Sequence, residues 1–133
     1  MTNMKINPVS LRIPTKAYSQ GVLVPCGKSN LLFVTGQLPQ NIDGEIVHLD
    51  NVEKQVRLVF SRISEILEEA TMSLDDVVKL QIYVKDIKYA KTVSSVRDEL
   101  FARSKPASTL VEVSGFVKEG CCIEIDAVAA KVK

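Results

Sequence analysis

Three carboxylates, Glu112, Glu124 and Asp126, stand among apolar neighbours in the last quarter of the chain. A carboxylate in such a run either faces solvent, with or without a lysine partner, or is held beside an apolar pocket. In the second case desolvation raises its pKa, and the group can then position or activate water. Other chemistry is poorly supplied. His48 is the single histidine, so one chain holds no two-histidine metal pair and no two-histidine acid/base pair. The patterns G-x-x-x-x-G-K-[ST], G-x-G-x-x-G and G-x-S-x-G do not occur, which leaves a phosphate-cradling loop and a serine nucleophile elbow without support. The three cysteines are Cys26, Cys121 and Cys122. Neighbouring residues on a strand point to opposite faces, so Cys121 and Cys122 are poorly placed to bridge or to chelate together. With no C-x-x-C pair, a structural zinc site has little basis. Free thiols in a reducing compartment are the expectation.

These groups must be positioned by a chain of 133 residues, the length of one domain spanning 1–133. Hydrophobic residues at 46% and charged residues at 25% are ordinary globular usage. The 17 basic and 16 acidic side chains leave a net charge of +1, with no basic stripe, so nucleic acid is a poorly supported partner. The first ten residues carry no apolar leader, and runs such as Leu31 to Val34 are too short to span a bilayer. A cytoplasmic protein without a membrane partner is expected.

The early part of the chain reads as β structure. Gly21 to Val24 and Leu31 to Thr35 are strand-like runs around a turn, and Glu45 to Val47 is a candidate short strand. Val52, Val56, Val59, Phe60, Ile63, Ile66, Leu67 and Ala70 then recur at helical spacing, with Asp50 or Asn51 available as the N-cap. Val78, Leu80, Ile82 and Val84 alternate with polar residues in a half-buried strand. A second amphipathic helix is predicted from about Tyr89 to Phe101, and further strands near Ser108–Val113 and Cys122–Val128. The order β-β-(β)-α-β-α-β-β, with hairpins expected at both ends, points to an α+β fold. Two helices would pack on one face of a mixed sheet. Both strand parities carry apolar residues, so the other face should also be partly buried, with subunits as its cover.

Several stretches resemble one family. Ala17-Tyr18-Ser19-Gln20-Gly21 is similar to its "PYSQG" segment, and Thr35-Gly36-Gln37-Leu38-Pro39 to its "SGQIP" turn. Ser73 to Lys79 and Tyr83 to Asp86 are similar to "SLDDVVK" and "fvKD". Pro106 to Val113 resembles "PARSxVEV", and Ile123 to Ala129 resembles "IEIEAIA". Each segment alone is weak. Together, in order from about residue 14 onward, they are highly specific to the RidA/YjgF family, also called enamine/imine deaminases or L-PSP endoribonucleases.

The resemblance implies a chorismate-mutase-like homotrimer with three small-molecule clefts, each between two subunits. It implies hydrolysis of 2-imino or 2-enamino acids to 2-keto acids and ammonia, without metal or organic cofactor. By the same resemblance Glu124 is the catalytic glutamate that holds the attacking water. Tyr18, Gly36, Ser94, Ala107, Ser108 and Thr109 fall at substrate-binding positions, with Ser94 where many members carry asparagine. Ser108 is the departure, because it stands where the family's "PARS" arginine grips the substrate carboxylate. A guanidinium offers two parallel donors and a fixed charge; a serine hydroxyl offers one neutral donor. Losing one partner of a desolvated charge pair costs about 2–5 kcal/mol. Reduced or altered deamination is therefore expected unless Arg103 or Lys105 reaches in from the preceding loop. The alternatives are a non-catalytic ligand-binding or regulatory trimer and, more weakly, an endoribonuclease.

Overall fold

The computed structural model describes residues 2–133. Its eight main elements are β1 (Met4–Ile6), β2 (Gly21–Cys26), β3 (Ser29–Gln37), α1 (Val52–Glu69), β4 (Val77–Val84), α2 (Ala90–Leu100), β5 (Ala107–Glu112) and β6 (Ile123–Val132). The strands form one six-stranded sheet in the order β1-β2-β3-β6-β4-β5. All neighbours are antiparallel except β4 and β5, which run parallel and are joined through α2. This is a mixed α+β sheet with both helices on one face.

Strand alternation explains which face they cover. Ile123, Ile125, Ala127 and Ala129 of β6, Leu80, Ile82 and Val84 of β4, and Leu32 and Val34 of β3 are all buried. They meet the predicted stripe of α1 (Val56, Val59, Phe60, Ile63, Ile66 and Leu67) and Val93 and Val96 of α2 in one core cluster. The rings of Phe60 and Phe101 pack edge to face, with centroids 5.1 Å apart. Asn51 is the cap that forms: its side chain accepts the Lys54 N–H at 3.0 Å. Asp50 instead takes a left-handed backbone, with φ 58.

The sequence-based elements need three corrections. β1 was not anticipated; its three residues have too little pattern to read. Glu45 to Val47 forms only an isolated bridge, Gln40 to Ile46. The expected C-terminal hairpin does not exist. The loop after β5 carries the chain past β4, and β6 inserts between β3 and β4. The central strand has to bury one face under the helices and hydrogen-bond on both edges, and the long β6 alternation suits that place better than an edge.

Among the described residues, no helix covers the other face. Phe33 and Val111 are 47% and 39% exposed there, beside the half-buried Leu31, Tyr83, Glu124, Asp126 and Val128.

Candidate functional site

Glu124 stands on the uncovered face of β6, opposite Tyr83 of β4. It is half-buried, and its carboxyl pKa is raised, first by burial and then by the nearby Asp126 carboxylate. Asp126 is raised as well, by burial, although the Tyr83 hydroxyl donating to its Oδ2 at 3.3 Å opposes the shift. Two acidic groups that resist ionisation thus share one sheet face. Burial of this kind disfavours the charged form, so both carboxyls hold their protons to higher pH than they would in water.

Gly36 belongs to this group for a steric reason. A Cβ built on it would lie 2.5 Å from Glu124 Oε2, so only glycine lets the carboxylate lie across the β3 backbone. The register explains the approach. Val34 pairs with Ala127 but Gln37 with Ile125, so Thr35 and Gly36 form a β-bulge opposite β6. Thr35 also ties down the segment that carries Tyr18: its N–H donates to the Gln20 carbonyl at 2.9 Å, and its hydroxyl donates to the Ser19 carbonyl. Tyr18 is 55% exposed at the rim of a cavity of about 250 Å³ shared with Gln20, Gln40 and Lys118.

A buried polar cluster braces the bulge from beneath. Gln37 donates to Gln20 Oε1 at 2.8 Å and accepts from Arg62 Nε at 3.2 Å, while Arg62 Nη1 donates to the Gln40 carbonyl at 3.0 Å. By residue type Arg62 belongs on the polar side of α1, yet it is buried. The signal against that was its position between Val59 and Ile63, next to the apolar stripe.

The remaining expected residues form a second group. Ser108 pairs with Leu80, so its side chain points to the helix face, whereas Ala107 and Thr109 pair with Lys79 and Gln81 on the uncovered face. Ser94 lies on α2 one turn before Arg97, on the same flank of the helix. Arg97 Nη1 donates to Ser108 Oγ at 3.1 Å. A guanidinium therefore sits at Ser108 after all, from a residue that sequence reasoning did not single out. Arg103 does not reach in; it is 86% exposed and 3.6 Å from Asp75. Lys105 lines the same cavity as Arg97 and Ser108. Within one chain, Glu124 with Gly36 and Ser108 with Arg97 occupy opposite faces of the sheet.

Comparison with known proteins then decides the family. The sequence model of the family described as Endoribonuclease L-PSP matches residues 10–131. The chain belongs to this family, also called RidA/YjgF. A RutC family protein of Pyrococcus abyssi is 42% identical over 119 residues, covering 89% of each chain. Among solved structures, yeast YEO7 superposes with a TM-score of 0.87 at 30% identity, covering 98% of this chain and 99% of its own. TdcF of E. coli, solved with bound serine, superposes at 0.80 with 26% identity, covering 96% and 98%.

The cysteines of this family member lie apart from both groups in character. Cys26 is exposed and Cys121 buried, with burial pushing the Cys121 thiol up to about 11. Cys122 packs against Gln55, whose Oε1 accepts its N–H at 3.0 Å. Among the described residues, no helix is long and apolar enough to cross a membrane.

Proposed function

We propose that this RidA/YjgF protein assembles as a homotrimer and hydrolyses small 2-imino acids, and the 2-enamino acids that tautomerise to them, in clefts between subunits. The observation that carries the reading is Glu124: a half-buried carboxyl with a raised pKa, lying over a glycine bulge on the one sheet face that no helix covers. A neighbouring copy seated on that face would bring its own Ser94–Ser108 edge towards Glu124, which a single chain keeps on opposite sides of its sheet.

The chemistry needs little else. Water attached to Glu124 adds to the C=NH2+ carbon and gives a carbinolamine. The carboxylate takes the water's proton and returns it to nitrogen. The carboxylate then takes the hydroxyl proton as the C–N bond breaks and the oxygen forms the ketone, and that proton passes to the departing ammonia, releasing the 2-keto acid and ammonium. Tyr18 and the backbone around Gly36 shape the pocket, and Ala107 and Thr109 contribute β5 backbone. The uncharged Ser108 makes substrate binding altered or weaker than in members with arginine at that position. TdcF with bound serine favours a second reading, in which the cleft holds a small carboxylate ligand without turning it over.

Ammonia release from freshly generated 2-aminoacrylate separates the two. Native protein should release ammonia faster than buffer. Glu124→Ala should reduce the rate to background. Gly36→Ala, which displaces the carboxylate, should lower it at least about tenfold while leaving the fold intact. Native protein that binds pyruvate yet releases no ammonia supports the ligand-holding reading. Cleavage of RNA that weakens steeply with salt would favour the endoribonuclease reading.

A further inference from the structure

A cavity of about 650 Å³ opens at the edge of β5. Its floor includes Phe101 and Pro106, and its polar wall includes Arg97, Lys105 and Ser108. We infer that Arg97, reaching from α2 across to β5, is the anion anchor of this cleft, so that its ligand is a small carboxylate gripped by a helix-borne guanidinium together with the Ser108 hydroxyl. The inference rests on the deaminase-type cleft proposed above and names what holds the substrate there.

The geometry favours a paired device. Ser108 Oγ accepts from Arg97 Nη1 at 3.1 Å. That leaves the hydroxyl proton free to donate elsewhere, and both Arg97 and Ser108 line this cavity, so each has a donor to offer one ligand there. The short serine is what lets the guanidinium lie across β5. Lys105, held in a left-handed conformation with φ 45, adds a second positive charge to the same cavity. One group competes. Arg97 Nε and Nη2 donate to Asp98 Oδ1 at 3.2 and 3.0 Å, and the Asp98 side chain is 70% exposed. A solvated pair of this kind is weak, so Asp98 occupies the fork until a ligand carboxylate displaces it.

The test compares 2-oxobutanoate with its uncharged amide, 2-oxobutanamide, by calorimetric titration, alongside the ammonia assay. Native protein should prefer the carboxylate. Arg97→Ala should weaken 2-oxobutanoate binding at least about tenfold, leave the amide unaffected, and raise KM for the imino acid more than it lowers kcat. Asp98→Asn should tighten carboxylate binding by freeing the fork, an effect that a merely structural role for Arg97 would not produce. Ser108→Arg should restore binding in the Arg97→Ala background and bring little in the native one, where two guanidinium groups would crowd. If Arg97→Ala binds the carboxylate as tightly as native protein, the anchor is wrong and the deaminase reading stands. If native protein binds 2-oxobutanoate through Arg97 but releases no ammonia, the deaminase reading falls and the anchor stands. Native protein that binds no keto acid overturns the anchor, and if it also releases no ammonia both readings fall.

Discussion

The two faces of the sheet obey different rules. Under the helices, β6 presents Ile123, Ile125, Ala127 and Ala129, all buried among aliphatic and aromatic partners. On the opposite face the same strand presents Glu124, Asp126, Val128 and Ala130, half-buried beside Tyr83 and the exposed Phe33. One face is closed by the chain itself. The other is too apolar for open solvent and too acidic for a sealed core. A strand that alternates in this way spends one parity on stability and leaves the other for chemistry. Helix packing fixes the first, and whatever covers the second face determines how strongly its carboxyls are desolvated.

The sharpest way to break this contrast is to cut one side chain from each face. Ile125→Ala leaves a cavity under α1 and should cost about 2–5 kcal/mol in urea unfolding. Tyr83→Phe removes only the hydroxyl that meets Asp126 and should cost less than about 1.5 kcal/mol. Equal losses would mean that the faces do not differ in kind.

A second change tests whether the uncovered face is an interface. Phe33→Asp puts a charge where an apolar ring is 47% exposed. If the proposed trimer forms through this face, light scattering should show it falling to a folded monomer in the variant, with far-ultraviolet dichroism retained. A native protein that is already monomeric at assay concentration would remove the intersubunit cleft from the account.

The smallest effect concerns protons. Glu124 and Asp126 hold raised pKa values in the folded chain, so between the ordinary carboxylate range and those values the folded state binds more protons than the unfolded state. Their contribution is complete below the ordinary carboxylate pKa and is lost as pH rises through the raised values. Thermal melts of Glu124→Gln against native protein should therefore diverge as pH rises out of the ordinary carboxylate range, the variant becoming relatively more stable. A difference that stays constant from below that range upward would show that Glu124 is not desolvated in the assembled protein.

Much of this is legible in the order of residues. The α1 stripe at 3.6-residue spacing, the alternation in β4 and the run of segments similar to one family needed only the order of residues. Glu124 and Gly36 could be nominated together by that similarity, and the bulge gives the steric reason for the glycine. The place of β6 was not legible, because alternation says which residues share a face and nothing about which strand lies beside them. Arg97 was missed for a related reason. It is eleven residues from Ser108, across a helix end and a turn, and its pairing depends on how α2 lies over β5.

Residue order alone therefore determined the periodicities, the single histidine, the near-neutral charge and the serine at position 108, since each is a property of the chain in one dimension. Tertiary structure decided which parity the helices bury, that Glu124 and Ser108 face opposite ways within one chain, and that a guanidinium returns to Ser108 from a helix. Those outcomes depend on contacts between residues distant in sequence, and such contacts exist only once hydrophobic burial has chosen one packing of the elements.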